Sequence, residues 1–310
     1  MKIYLDNSGR ALLDFCERKF FLQRILNLEP KRGSNALRYG KVWHALLEGY
    51  YSSIKDRGWN EFALVRASAY GLRAWEELCE KQSFEDDYRT LDAANESLLE
   101  YHSQFFFSDK GMLEVIQTEQ IFQIPLEFDP KKFRFLSGNE VIFYGRLDLQ
   151  VTLNGVPWIV EHKTTSHSAK MQAERLHRSP QTMGYAYAGK HALDFVAEGC
   201  LVCIHQISAG KKKDGTYGSV NRKFIRSPQI YTEKDLESWK DSFLSAADRL
   251  VYCLERDFLP MRYDSCYSYG RCKYCPLCER NLSIEELRSS SPPEGYVILE
   301  DEICQKVRKM

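Results

Sequence analysis

The sequence predicts a mixed α/β fold, with a strand-rich centre framed by helical segments. Three observations carry that prediction. Apolar residues recur at helical spacing through the first third of the chain. The centre switches to runs of β-branched and aromatic residues divided by Asn154-Gly155. Helical spacing then returns from Tyr231 to Arg256.

Helices come first. Leu12, Leu13, Phe15, Phe20, Phe21 and Ile25 recur at helical spacing, as do Trp43, Leu46, Leu47 and Tyr50, and the stretch from Phe62 to Phe107 has the same character. Val141 to Leu153 and Val156 to Val160 then read as two strands, and Asn-Gly between such runs is the strongest short-range hairpin signal. Pro157, just past that turn, points to an edge position or irregular pairing. A helix is expected to follow Ser179-Pro180, starting near Gln181, and Leu201-Val202-Cys203-Ile204 suits a buried strand. Ser289-Ser290-Ser291-Pro292-Pro293-Glu294-Gly295 has linker composition, with a short appendage from Tyr296 to Met310. The expected organisation is one domain over 1–288: a helical part over 1–110, a core over about 111–210, and a C-terminal helix with a cysteine group over 231–280. A linker and tail occupy 289–310.

With 310 residues, 44% of them hydrophobic and 13% aromatic, the chain has ample material for a core, which excludes intrinsic disorder as its main state. Lys plus Arg total 43 and Asp plus Glu total 43, which argues against a chromatin-like basic protein and leaves a local basic groove open. Met1 to Asp6 lack the apolar run of a signal peptide, and no stretch approaches the ~18 apolar residues of a membrane helix. The expectation is an intracellular protein, cytoplasmic or nucleoid-associated, with no membrane partner.

A two-residue turn at Asn154-Gly155 sets Leu153 against Val156 and carries Asp148 opposite Glu161, with Lys163 on the same face. Like charges facing each other across strands destabilise the pair. A divalent cation gives them a reason, because Mg²⁺ and Mn²⁺ prefer carboxylate oxygens. A nearby lysine suits stabilisation of charge on a phosphate. The competing reading is a solvated hairpin face. His44 and Glu48 stand one helical turn apart, as do Gln181 and Tyr185; taken alone, both pairs read as helix packing.

Lys211-Lys212-Lys213 reads either as a phosphate-touching loop or as a solvated tip. Arg18, Lys19, Arg24, Lys31, Arg32, Arg38 and Lys41 give the N-terminal region a basic tilt. Phe20, Phe21, Tyr39 and Trp43 among them are either base-stacking or core residues. Ten cysteines in a reducing compartment read first as metal or cluster ligands, and Cys266, Cys272, Cys275 and Cys278 crowd together. Those four without Cys16 form the zinc alternative. Cys79, Cys200, Cys203, Cys253 and Cys304 read as ordinary small residues.

Five segments in order resemble the RecB-type branch of the PD-(D/E)XK nuclease superfamily. They are Phe15-Cys16-Glu17-Arg18-Lys19-Phe20-Phe21, the Gly40 to Glu48 segment with His44, Gly145-Arg146-Leu147-Asp148, Glu161-His162-Lys163-Thr164-Thr165, and Gln181-Thr182-Met183-Gly184-Tyr185. The resemblance extends to CRISPR-associated, AddB-like and phage-type exonucleases. It implies a restriction-endonuclease-like mixed-sheet core with helical additions.

It also implies roles. His44, Asp148, Glu161 and the backbone carbonyl of His162 would hold Mg²⁺ or Mn²⁺, with the His162 side chain on the opposite face. Lys163 would be the catalytic lysine, and Gln181 and Tyr185 would position nucleic acid or support the site. Cys16, Cys266, Cys272 and Cys278 would hold a [4Fe–4S] cluster joining the two chain ends, with Cys275 as the alternative ligand and Zn²⁺ as the alternative metal. The activity implied is a DNA exonuclease on single strands or free ends, in recombination, repair, phage replication or CRISPR adaptation. With no G-x-x-x-x-G-K-[ST] loop in the sequence, unwinding would fall to a helicase or recombination partner. The alternative is a catalytically silent nucleic-acid-binding or scaffold module.

Overall fold

The computed structural model describes residues 1–191, 193, 195–268, 270–280, 282–289, 291–299 and 305. Strand β1 (Lys2–Leu5) leads into helix α1 (Asn7–Phe15), which Asp6 caps by accepting the Gly9 N–H at 2.7 Å. Cys16 is extended and breaks the helical run before α2 (Glu17–Phe20) and a π-helical turn over Phe21–Ile25. After β2 (Leu28–Pro30) comes α3 (Asn35–Arg57), opened by Ser34 and closed at Gly58, whose φ of 75° suits glycine. Helices α4 (Phe62–Lys81) and α5 (Leu91–Asp109) follow, the second capped by Thr90.

Strands β3 (Leu113–Leu126), β4 (Glu140–Leu153) and β5 (Val156–Thr165) form the centre. Asn154 and Gly155, at φ 53° and 77°, make the left-handed two-residue turn between β4 and β5. Helix α6 (Ala169–Leu176) precedes α7 (Pro180–His191), which starts on proline as a first helical turn allows. Then come β6 (Gly199–Ser208), β7 (Asn221–Ile230), α8 (Glu233–Glu255), α9 (Cys275–Cys278), α10 (Ile284–Ser289) and β8 (Tyr296–Ile298). The main sheet runs β1-β4-β5-β6-β7, with β3 also paired to β4. The pairs β1·β4 and β5·β6 are parallel, and β4·β5 and β6·β7 are antiparallel, so the sheet is mixed.

Pro157 sits in an interior strand, not at an edge. It precedes the β6 ladder, which begins at Trp158↔Gly199, and its carbonyl accepts the Glu198 N–H, so its missing donor breaks no bond there. The strand that does carry an edge proline is β7, with Pro228.

The chain divides into two compact units. One comprises Arg32–Gln120 and Arg146–Thr232. In it, Trp43, Leu46, Leu47 and Tyr50 of α3 are buried with Leu149, Val151, Val160, Leu201 and Cys203 of the sheet. Each large side chain so buried contributes about 1.5–3 kcal/mol. Helices α3 and α4 approach closely at Gly49, where a Cβ would stand 2.9 Å from both the Ala67 Cα and the Arg66 carbonyl oxygen.

The other unit comprises Met1–Lys31, Ile121–Gly145 and the chain from Glu233 onward. Its small core gathers Phe21, Leu22, Leu28, Tyr274, Leu277 and Tyr296. Residues Tyr296–Ile298 of the expected tail form β8, antiparallel to β2. Ser290, residues 300–304 with Cys304, and residues 306–310 lie outside the described residues. Among the described residues, no helix is long and apolar enough to cross a membrane.

Candidate active site

Strand β5 ends in Glu161-His162-Lys163-Thr164-Thr165, and side chains alternate between its two faces. Glu161 and Lys163 share the face toward α7. Lys163 Nζ lies 2.5 Å from Glu161 Oε1. Gln181 Nε2 donates to the same oxygen at 3.0 Å and to the Tyr185 hydroxyl at 3.2 Å. His162 and Thr164 face α3: the His162 ring stacks on Tyr51 with centroids 6.0 Å apart, and Gly40 leaves room for Thr164.

The β4–β5 ladder runs from Leu153↔Val156 to Leu149↔Val160, the register set by the Asn-Gly turn. It stops one step short of Asp148 and Glu161. There, Asp148 Oδ2 accepts the His162 backbone N–H at 2.8 Å, so a side chain takes the place of a ladder bond. In an extended strand the N–H and C=O of one residue point the same way, which turns the His162 carbonyl toward Asp148. From α3, His44 Nδ1 comes within 3.2 Å of Asp148 Oδ1. His44, Asp148, Glu161 and Lys163 therefore gather at the end of one hairpin.

The electrostatics follow from burial. Asp148 stays well below the usual carboxylate range despite burial, because His44 and the His162 N–H hold its charge. His44 is pushed up to about 9: burial alone would lower it, and the Asp148 carboxylate outweighs that. Glu161 is raised by burial and by Asp148, against the pull of Lys163. His162 is driven down to about 3 by burial. Glu161 is 1% exposed, and its Oε2 has no hydrogen-bond partner among the described residues. A buried carboxylate oxygen without a partner is costly unless a proton or a cation satisfies it. The donor chemistry at this point, two carboxylates with one oxygen unpartnered, fits a hard divalent cation. As the side chains are spaced, no three His, Cys, Asp or Glu groups among the described residues close around a single metal position.

Two neighbours went unread in the sequence. Glu119, within β3, is raised by burial and by Asp148, Glu48 acting in the same sense and Arg146 against it. Arg146 Nε lies 2.6 Å from Glu119 Oε2. That is ion-pair distance, but the angle is not that of a hydrogen bond, and Oε2 remains unsatisfied. Only the pairing of β3 with β4 brings Glu119 here, and no spacing in the sequence announces that.

The basic N-terminal stretch is largely consumed by structure. Arg18 donates to the Leu282 carbonyl, Arg24 pairs with Asp6, and Arg38 lies over Trp75. Phe20, Phe21, Tyr39 and Trp43 are buried core residues, which removes them as base-stacking groups. Lys211, Lys212 and Lys213 sit exposed in the β6–β7 connection. Cys16, Cys266, Cys272, Cys275 and Cys278 all line one pocket with Phe15 and Tyr274. The Cys266 thiol is pushed up to about 11 by burial, then by Cys275 and Cys272 beside it. Cys200, Cys203 and Cys253 are buried elsewhere, and Cys79 is exposed.

A mixed sheet here ends in a buried carboxylate paired with a half-buried lysine, beside a second carboxylate and an imidazole. The sequence pattern of the PD-(D/E)XK nuclease superfamily matches residues 8–279, and the chain belongs to that superfamily. By class it is a phosphodiester-hydrolysing nuclease, and such nucleases generally use Mg²⁺ or Mn²⁺ on a nucleic-acid substrate. Among solved structures the chain is similar to one described as SSO0001, at 14% identity over 82% of this chain and 89% of that one, with a TM-score of 0.30. A likeness that low carries no argument. No curated protein matches the chain.

Proposed function

We propose that this chain is a metal-dependent DNA exonuclease acting on single strands or free ends, of the RecB type, with an iron–sulfur centre joining its terminal segments. The observation that carries the reading is the buried, unpartnered Glu161 Oε2 at the end of the hairpin that also carries Asp148, with Lys163 against Glu161 and His44 against Asp148.

Asp148, Glu161, His44 and the His162 carbonyl would hold the Mg²⁺ or Mn²⁺, which supplies charge neutralisation at the phosphate. His44 must release its proton to offer a lone pair there. The Lys163 ammonium, held against Glu161 Oε1, would orient the attacking water and balance charge that develops on the phosphate oxygens. Gln181 holds Glu161 from the other side and hands its second contact to Tyr185, so both act by fixing the Glu161 rotamer.

Five thiols around one pocket suit a soft-metal centre, and Cys16 contributes from the far end of the chain. Our reading places Cys16, Cys266, Cys272 and Cys278 around [4Fe–4S], with Cys275 as the alternative ligand and a local zinc site as the alternative centre. The test is incubation of end-labelled single- and double-stranded DNA with Mg²⁺ or Mn²⁺, beside Lys163→Ala. Loss of label from ends by the wild type alone supports the reading. Retention of DNA with no metal-dependent degradation supports the silent scaffold instead.

A further inference from the structure

Strand β4 sorts its side chains cleanly around the site. Leu147 and Leu149 are buried, while Arg146 and Asp148 share the other face. Two residues along a strand are about 7 Å apart, so Arg146 stands next to Asp148 on that face. The Arg146 side chain is 41% exposed, whereas that of Asp148 is 10% exposed. Among the described residues the one partner of Arg146 is Glu119, met through Nε at ion-pair distance without hydrogen-bond alignment. Its two Nη groups make no hydrogen bond among the described residues, so the planar fork that binds phosphate in two-point fashion is open.

Glu119 is itself unusual. It lies inside β3 with φ 50°, a left-handed conformation that a glutamate rarely takes and that costs on the order of 1–2 kcal/mol. A left-handed residue within a strand interrupts the pleat and re-aims the side chain. Here it delivers the carboxylate to Arg146.

We propose that Arg146 is a substrate-phosphate contact of this site, and that Glu119 is a positioning residue that holds the guanidinium until a nucleic-acid phosphate displaces it. The inference rests on the nuclease reading and adds to it a contact that Asp148, Glu161, Lys163 and His44 do not supply. A phosphate offers two aligned acceptors and full charge, whereas Glu119 offers a misaligned one, so the exchange favours phosphate. Arg146 would bind without reading sequence, since a backbone contact fixes position only.

The test measures binding of a labelled single-stranded oligonucleotide in EDTA, where no cleavage intervenes, over a range of KCl. Each phosphate contact contributes about 0.7 to the slope of log affinity against log salt for single strands. Arg146→Gln is expected to lower that slope by about 0.7, while Arg146→Lys keeps it. In a double-variant cycle, Glu119→Gln should tighten binding in the wild-type background and leave it unchanged in the Arg146→Gln background. A folded Arg146→Gln protein with the wild-type slope, or a Glu119→Gln effect that persists without Arg146, overturns the assignment while leaving the nuclease reading intact. A wild-type chain that retains no oligonucleotide in EDTA overturns the assignment, and one that also fails to cleave it with Mg²⁺ or Mn²⁺ overturns both.

Discussion

The Asp148 carboxylate accepts the backbone N–H of His162 across the hairpin at 2.8 Å, at the point where the β4–β5 ladder ends. That one bond fixes two things together. It anchors a charged side chain to a rigid strand, and it leaves Asp148 Oδ1 to meet His44. A site built this way is held by backbone rather than by long side chains, which is what positioning within fractions of an ångström requires.

Lys163→Ala removes the ammonium that touches Glu161. Cleavage is expected to fall at least about a hundredfold, the scale of a positioned proton-transfer or charge-stabilising group. Folding should persist, because the backbone of β5 stays paired to both neighbours. Single-turnover rates beside a thermal melt check both halves.

Asp109→Ala should be costly although it lies outside the site. Arg226 grips Asp109 with two bonds, 2.7 and 2.6 Å, and the pair is largely buried. Removing one partner of such a pair costs about 3–5 kcal/mol by leaving the other charge unpaired. A loss of unfolding free energy in urea of less than about 1 kcal/mol would show the guanidinium finding another partner.

His205 predicts an acid weakness. Its ring lies among Trp43, Tyr39 and Phe224, with neither nitrogen hydrogen-bonded among the described residues. Burial, and secondarily Arg222, lower it from 6.5 to about 3. The folded state therefore binds the proton less readily than the unfolded chain. This contribution is complete above pH 6.5 and is lost as pH falls toward 3. At one pH unit below 6.5 the loss approaches about 1.4 kcal/mol. His205→Phe should flatten that slope; parallel urea titrations at pH 7.5 and 5.5 measure it.

The thiol pocket gives a compositional test. Protein purified without oxygen should carry iron and acid-labile sulfide. Serine at Cys16, Cys266, Cys272 or Cys278 should remove them, and Cys275→Ser should keep them. Stoichiometric zinc, retained by Cys16→Ser, would favour the local four-cysteine site.

The hairpin was legible because its determinants are local: Asn154 and Gly155 fix the turn, the turn fixes the register, and the register places Asp148 and Glu161 at one end. Helix α3 was legible from the spacing of Trp43, Leu46, Leu47 and Tyr50, and it delivers His44. Strand β7 was not, since Arg222, Lys223 and Arg226 interrupt any apolar alternation and its edge position leaves only two of its ten residues buried. Nor was Glu119, whose place depends on a pairing between strands and a single left-handed residue. What escaped the sequence was long-range pairing, and that is where the contacts around Asp148 widen beyond the motif.

The pairing of Leu28–Pro30 with Tyr296–Ile298 has a consequence for biogenesis. A strand made early must wait for one made some 270 residues later, so the thiol-bearing unit closes only once residues 296–298 have been made. Cys16 likewise has its four sulfur neighbours only after residue 278 is made, so any loading of that pocket comes after the hairpin carrying Asp148 and Glu161 has had time to form.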